Sequence, residues 1–172
     1  MVGEYLATSA QAATQEFSDP SYRLEGPFEG TPVLPTEADL VAVAAASGVA
    51  IDEINPSSVG CWQREHTRDT SKFWVSIFMH WCVDAYTTAY VSSWGYTTQA
   101  VNNSFTQYLH GSGAICGPSN GPGEVRVRCH ANWTFCSSNV INGACMFTYN
   151  PWMTGFGNWR GYAYFESGQF PD

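Results

Sequence analysis

Six cysteines, four histidines and seven tryptophans make up most of the reactive or stacking chemistry of this chain, and every one of them follows residue 60. Cys61, Cys82, Cys116, Cys129, Cys136 and Cys145 are even in number, and no two are spaced C-x-x-C. Zinc ribbons and thioredoxin-like sites therefore lack their signature. His80-Trp81-Cys82 and Cys129-His130 hold ligand types at short spacing. Adjacent residues of a strand point to opposite faces, however, so Cys129 and His130 cannot easily share an ion, and no metal site is expected. The expectation is three disulfides and, with them, a secreted setting. Six cysteines permit 15 connectivities. The best single pair is Cys136–Cys145, because Ser137 to Ala144 has the composition of a loop that such a bridge would close.

Hydrolytic and nucleotide chemistry finds little support. The motifs G-x-S-x-G, H-E-x-x-H, the phosphate loop and the dinucleotide glycine fingerprint are all absent. What remains is a carboxylate pair of the glycoside-hydrolase kind. The acids after residue 60 are Glu65, Asp69, Asp84, Glu124, Glu166 and Asp172. Glu124 and Glu166 fall in or beside strand patterns that could face each other. Glu65-His66 and His80 with Asp84 are further acid–base candidates, better read as ordinary polar contacts. No catalytic residue and no cofactor is expected.

The aromatic residues favour binding. Trp81 and Trp133 fall on inward registers and belong to a core. Trp74 and Phe78 share the other face of their strand, Tyr162 and Tyr164 share a face of theirs, and Trp152 lies in a predicted loop. With Arg126 and Arg128, which occupy one outward register, these form the candidate binding set. An aromatic platform can stack on the apolar face of a sugar ring or anchor a protein interface.

The elements that must position these residues divide by charge. Residues 1–60 contain nine acids and one base, Arg23; nine minus one is eight, the whole of the net charge of −8. Six acids balance six bases in residues 61–172. The expected organisation is an acidic N-terminal arm over 1–60 and an aromatic, cysteine-bearing β domain over 61–172. The arm is proline- and glycine-rich and irregular over 14–35. It offers Phe17, Tyr22, Leu24 and Phe28 for contact with a target, in its own subunit or another. Residues 36–47 predict one helix, capped by Thr36 and Gly48, with Leu40, Val43, Ala44 and Ser47 on one face.

After residue 60 the period is two. Val125, Val127, Cys129, Ala131, Trp133 and Phe135 alternate with polar residues, the pattern of a half-buried strand. Residues 72–83 are apolar on both faces, so that strand should be covered on both sides. Further strands are expected near 61–67, 88–96, 99–109, 145–149 and 159–166. Glycines and prolines between 111 and 123 predict one long loop, and Asn150-Pro151, Gly155 and Gly157 another. About seven short strands make an all-β, disulfide-stapled antiparallel β-sandwich with an extended arm and one short helix.

Net negative charge with a single lysine, Lys72, argues against nucleic acid. No run of about 18 apolar residues marks a membrane span. Ala10-x-Ala12 resembles a cleavage site without the usual upstream signal, as in a chain trimmed or numbered from a late start. Asn102-Asn103-Ser104 and Asn132-Trp133-Thr134 match the glycosylation sequon. The functional expectation is a secreted extracellular interaction module, most readily a structural subunit that assembles with itself into an oligomer or fibre. Glycan binding and a carboxylate-pair glycosidase are the alternatives.

Overall fold

Alternation along two long segments organises the molecule. The computed structural model describes residues 19–84, 88–100, 107–121, 124–138 and 144–171. Its strands are β1 (Arg23–Glu29), β2 (Thr31–Val33), β3 (Val59–Asp69), β4 (Phe73–Asp84), β5 (Thr88–Ala100), β6 (Gln107–Gly121), β7 (Glu124–Ser138), β8 (Cys145–Tyr149), β9 (Trp152–Asn158) and β10 (Tyr162–Gly168); the helix α1 is Glu37–Ser47. One sheet runs β1-β10-β9-β7-β6, with β8 also paired to β7, and the other runs β2-β3-β4-β5. All pairings are antiparallel.

The two sheets enclose the main core. Phe73, Val75, Ile77, Met79 and Trp81 of β4 pack against Val127, Ala131, Trp133 and Phe135 of β7, with Met153 of β9 and Phe165 of β10. These are the inward positions of a period-2 pattern, so burial of apolar area drives both sheets to the same interface. Trp81 is fully buried and donates its indole N–H to the Asn158 carbonyl at 3.0 Å. The all-β, disulfide-stapled sandwich expected from the sequence is present, with ten strands among the described residues rather than about seven.

The extra strands come from segments read as loops. Gly155 and Gly157 lie within β9, on its inward register. A Cβ on Gly155 would stand 2.3 Å from the Met79 sulfur, and one on Gly157 would stand 2.7 Å from the Trp81 ring. Here glycine marks a strand whose side-chain space is filled by the opposite sheet. The glycine- and proline-rich stretch 111–121 belongs to β6. That strand ends the sheet, where Pro118, which has no N–H, is tolerated, and a register shift between Leu109 and Gly111 absorbs the irregularity.

The N-terminal segment is likewise built in. β1 pairs with β10 and β2 with β3, so residues 23–33 contribute a strand to each sheet of their own chain instead of remaining irregular. Tyr22 packs near Trp152, and Phe28 packs against Phe165 at 6.0 Å. Leu24, expected to find a pocket, is 61% exposed. Phe17, the Ala10/Ala12 pattern, the sequon at 102–104 and the centre of the 137–144 loop lie outside the described residues.

Helix α1 starts and stops where its caps dictate. The Thr36 hydroxyl accepts the Asp39 N–H, the Asp39 side chain accepts the Thr36 N–H, and Gly48 closes the helix in the left-handed conformation at φ 70°. Val43 and Ala44 are buried, Leu40 packs beside them, and the Ser47 hydroxyl donates to Asp84 at 3.1 Å. The helix covers Cys61, Cys82 and Val59, so it closes the outer face of β4 at its Cys82 end, while Trp74 and Phe78 further along stay half-buried.

Disulfides join Cys61–Cys82, Cys116–Cys129 and Cys136–Cys145. The first two link directly opposed residues of neighbouring strands, with Cα atoms 4.1 and 4.2 Å apart. The third is the pair expected from the sequence.

Candidate functional site

The outer face of the larger sheet gathers polar and aromatic side chains that the sequence keeps apart. Strand register sets three rows across β7, β9 and β10: Arg128, Phe156 and Tyr164; His130, Thr154 and Glu166; Asn132, Trp152 and Gly168. All are at even positions, on the side opposite the core residues of the same strands. Gly168 has no room for a side chain, because the Trp152 ring lies across it and a Cβ there would come within 2.8 Å of that ring.

An open concavity of about 470 Å³ sits on this face, lined by Arg128, His130, Asn132, Thr134, Asn150, Trp152 and Thr154, with Asp19 and Gln169 at one side. The His130 Nδ1 is 2.8 Å from the Thr154 hydroxyl, and its ring centroid is 6.0 Å from that of Trp152. Burial, and then the neighbouring Arg128 charge, hold His130 below the usual imidazole range. The ring is therefore a neutral donor–acceptor at physiological pH.

The rim nearest the chain ends is braced. Asp19 accepts the Ser21 N–H and hydroxyl and the Gln169 N–H, at 2.8, 2.7 and 2.6 Å. Burial pushes the Asp19 carboxyl up, but these hydrogen bonds and the charge of Arg68 outweigh it and hold the group below its usual range. Arg68 is buried and donates to the Ser167 hydroxyl and the Ser21 carbonyl at 2.7 and 2.8 Å, with its guanidinium 3.9 Å from the centre of the Phe170 ring. One arginine thus ties the residues around 21 to those around 167–170.

The sequence-predicted residues separate into groups. Arg128 and Trp152 line the concavity, and Tyr164 lies on the same face two strands from Arg128. Tyr162 is exposed at the β1–β10 end. Arg126 is placed by its backbone, opposite Asn158 and two register pairs beyond Arg128. Trp74 and Phe78 are half-buried on the outer face of the other sheet, so the expected set is not one surface. His130, Asn132, Asn150 and Thr154 line the concavity but are not in the expected binding set. The even-register alternation of β7 carries that signal for the first two, whereas Asn150 and Thr154 reach the site only through the β7–β9 pairing.

The enzymatic candidates do not assemble. Glu166 shares a row with His130, whereas Glu124 lies six residues from His130 along β7, which at about 3.3 Å per residue is roughly 20 Å. That exceeds the ~5–10 Å that a carboxylate pair needs. Glu65 and His66 point to opposite faces: Glu65 accepts the Ser76 hydroxyl, and His66 Nε2 is 2.9 Å from Glu25. His80 meets Asp39 at 3.2 Å, while Asp84 meets Ser47.

Among the described residues no helix is long and apolar enough to cross a membrane. Comparison with protein-family models, with curated proteins and with solved structures returns no match.

Proposed function

We propose that the protein is a secreted binding module that holds a glycan on the outer face of its larger sheet. The observation that carries this reading is the Trp152 ring set in a 470 Å³ concavity among Asn132, Asn150, Thr134, His130 and Arg128. A sugar ring presents an apolar C–H face and a rim of hydroxyls. The indole matches the first, and the amides, hydroxyl, imidazole and guanidinium match the second. The three disulfides support an oxidising, extracellular setting. Residues 19–33 are engaged within their own chain, so this reading needs no arm that reaches into a neighbour.

The test is affinity electrophoresis of bacterially expressed protein, which leaves Asn132 unmodified, through gels containing a panel of plant, fungal and bacterial polysaccharides. At least one polysaccharide retards the protein. Trp152→Ala weakens that retention by about 2 kcal/mol, roughly 30-fold, as expected for a central aromatic anchor. Uniform migration through every gel, or equal retention of wild type and variant, rejects the reading.

A second reading, association between copies, is favoured by β8, where Met146 and Phe147 are 51% and 61% exposed beside the outward-facing Cys145 and Thr148. Light scattering on Met146→Ser/Phe147→Ser and wild type checks it. A wild-type mass above the monomer that falls in the variant supports assembly, and a monomeric wild type removes it.

A further inference from the structure

Beneath α1, four buried residues from three elements converge: Asp39 from the helix, Cys61 from β3, and His80 and Cys82 from β4. One donor atom from each lies within 4.8 Å of all the others. Asp39 Oδ2 accepts the Thr36 N–H and hydroxyl, both at 2.8 Å, and Oδ1 is turned to His80 Nε2 at 3.2 Å. The same Nε2 is 3.6 Å from Cys82 Sγ, and His80 Nδ1 accepts from the Gln63 side-chain amide nitrogen at 3.0 Å. In an acid–histidine–thiol relay the acid would hold one ring nitrogen and the sulfur would face the other. Here one nitrogen faces both, while the second is held by an amide. With the Gln63 amide turned over so that its oxygen faces Nδ1–H, that is how a metal-ligating imidazole is oriented by an outer partner.

We infer that the chain binds one Zn²⁺ through Asp39, Cys61, His80 and Cys82 when the Cys61–Cys82 bridge is reduced. Two thiolates, an imidazole and a carboxylate form a tetrahedral zinc donor set. A dithiol reductant supplies two electrons and two protons: its own disulfide forms, the Cys61–Cys82 bond breaks and two thiols result. Zn²⁺ then displaces both thiol protons to solvent. On loading, the ring proton leaves Nε2 and one is taken up at Nδ1, and the Gln63 amide turns over so that Nδ1–H donates to its oxygen, which leaves the Nε2 lone pair to the metal. A disulfide oxidant that takes two electrons back re-forms the bridge, removes both sulfur ligands and releases the ion. Metal and bridge therefore exclude each other. The reduced, newly made chain can take up the ion on Cys61, His80 and Cys82, and Asp39 completes the site as α1 closes over the sulfurs.

The full chain, reduced anaerobically by a dithiol and freed of it, is pulse-alkylated with and without Zn²⁺, and each cysteine is read by mass spectrometry. Zn²⁺ slows alkylation of Cys61 and Cys82 by about tenfold or more and leaves Cys116, Cys129, Cys136 and Cys145 unchanged. Co²⁺ in place of Zn²⁺ gives thiolate-to-cobalt charge-transfer absorption at one ion per chain. Gln63→Ala weakens cobalt binding by about 10–100-fold. Equal alkylation rates with and without Zn²⁺, protection confined to the other four cysteines, or the same cobalt spectrum from the oxidised chain overturns the inference. The alkylation result needs no variant, so a substitution that fails to fold leaves the test intact.

Discussion

The outer faces of the two sheets make opposite use of the same alternation. On the larger sheet the outward positions of β7 and β9 stay open, and Arg128, His130, Asn132 and Trp152 surround a concavity. On the smaller sheet one end of the outer face of β3 and β4 disappears under α1, and Cys61, His80 and Cys82 are sealed against Asp39. Strand periodicity alone does not distinguish a binding surface from a buried polar cluster. What distinguishes them is whether another element lies across the face. A covered polar group must find a partner or carry a desolvation cost, and an open one is free to wait for a ligand.

The largest effect separates core from surface tryptophan. Trp81→Ala should lower stability by about 3–5 kcal/mol, because it empties a fully enclosed site between the sheets. Trp152→Ala, half-exposed on the open face, should cost well under half as much. Urea denaturation of both variants measures the ratio, and equal losses would mean that Trp152 is a structural residue.

The next contrast sets the two faces against each other. Asp39→Ala removes a helix cap and the partner of a buried histidine, at about 1 kcal/mol for the cap and about 1–3 kcal/mol for the group left behind. Glu166→Ala on the open face should stay within about 0.5 kcal/mol. If denaturant midpoints fall alike, the helix does not seal its face.

Cys136→Ser/Cys145→Ser should cost about 2–3 kcal/mol, since the bridge closes a short loop with a sequence separation of 9. Removing it should leave the polysaccharide retention of the open face in place, which a native gel can read beside the melting curve.

The smallest effect is a pH dependence. The folded state holds the His130 pKa below the ordinary imidazole value of 6.5. The unfolded chain therefore takes up the proton first, and stability that is present above pH 6.5 is lost as pH falls towards the folded value. Asp19, held below 3.8, keeps its contribution until the medium is more acidic still. Denaturant midpoints at pH 7.5 and 5.5 should therefore drop more for wild type than for His130→Gln; an equal drop removes His130 as the cause.

Much of the framework is written locally. The inward residues of β4 and β7, the helix with Thr36 and Gly48 at its ends, and the Cys136–Cys145 bridge all follow from period, capping chemistry or short loop length. β9 and β6 do not, because glycine and proline report a missing side chain or N–H and not the neighbour that fills or excuses it. Met79 and Trp81 occupy the space above Gly155 and Gly157, and the sheet edge excuses Pro118.

The candidate site was legible by half. Arg128 could be placed on an outward register from the sequence, and Trp152 singled out as a candidate binding aromatic. That Trp152 faces His130 and Asn132 depends on the β7–β9 pairing. The sequence by itself determined which residues must be buried and which ends of the helix are capped, because those preferences act over a few residues. Only the tertiary structure decided that β1 and β2 belong to the two sheets, that Cys61 meets Cys82, and that Asp39 reaches His80. Those meetings join residues from 21 positions apart, Cys61 and Cys82, to well over a hundred, Arg23 and Ser167, and they are chosen by how the sheets and the helix bury their apolar faces together.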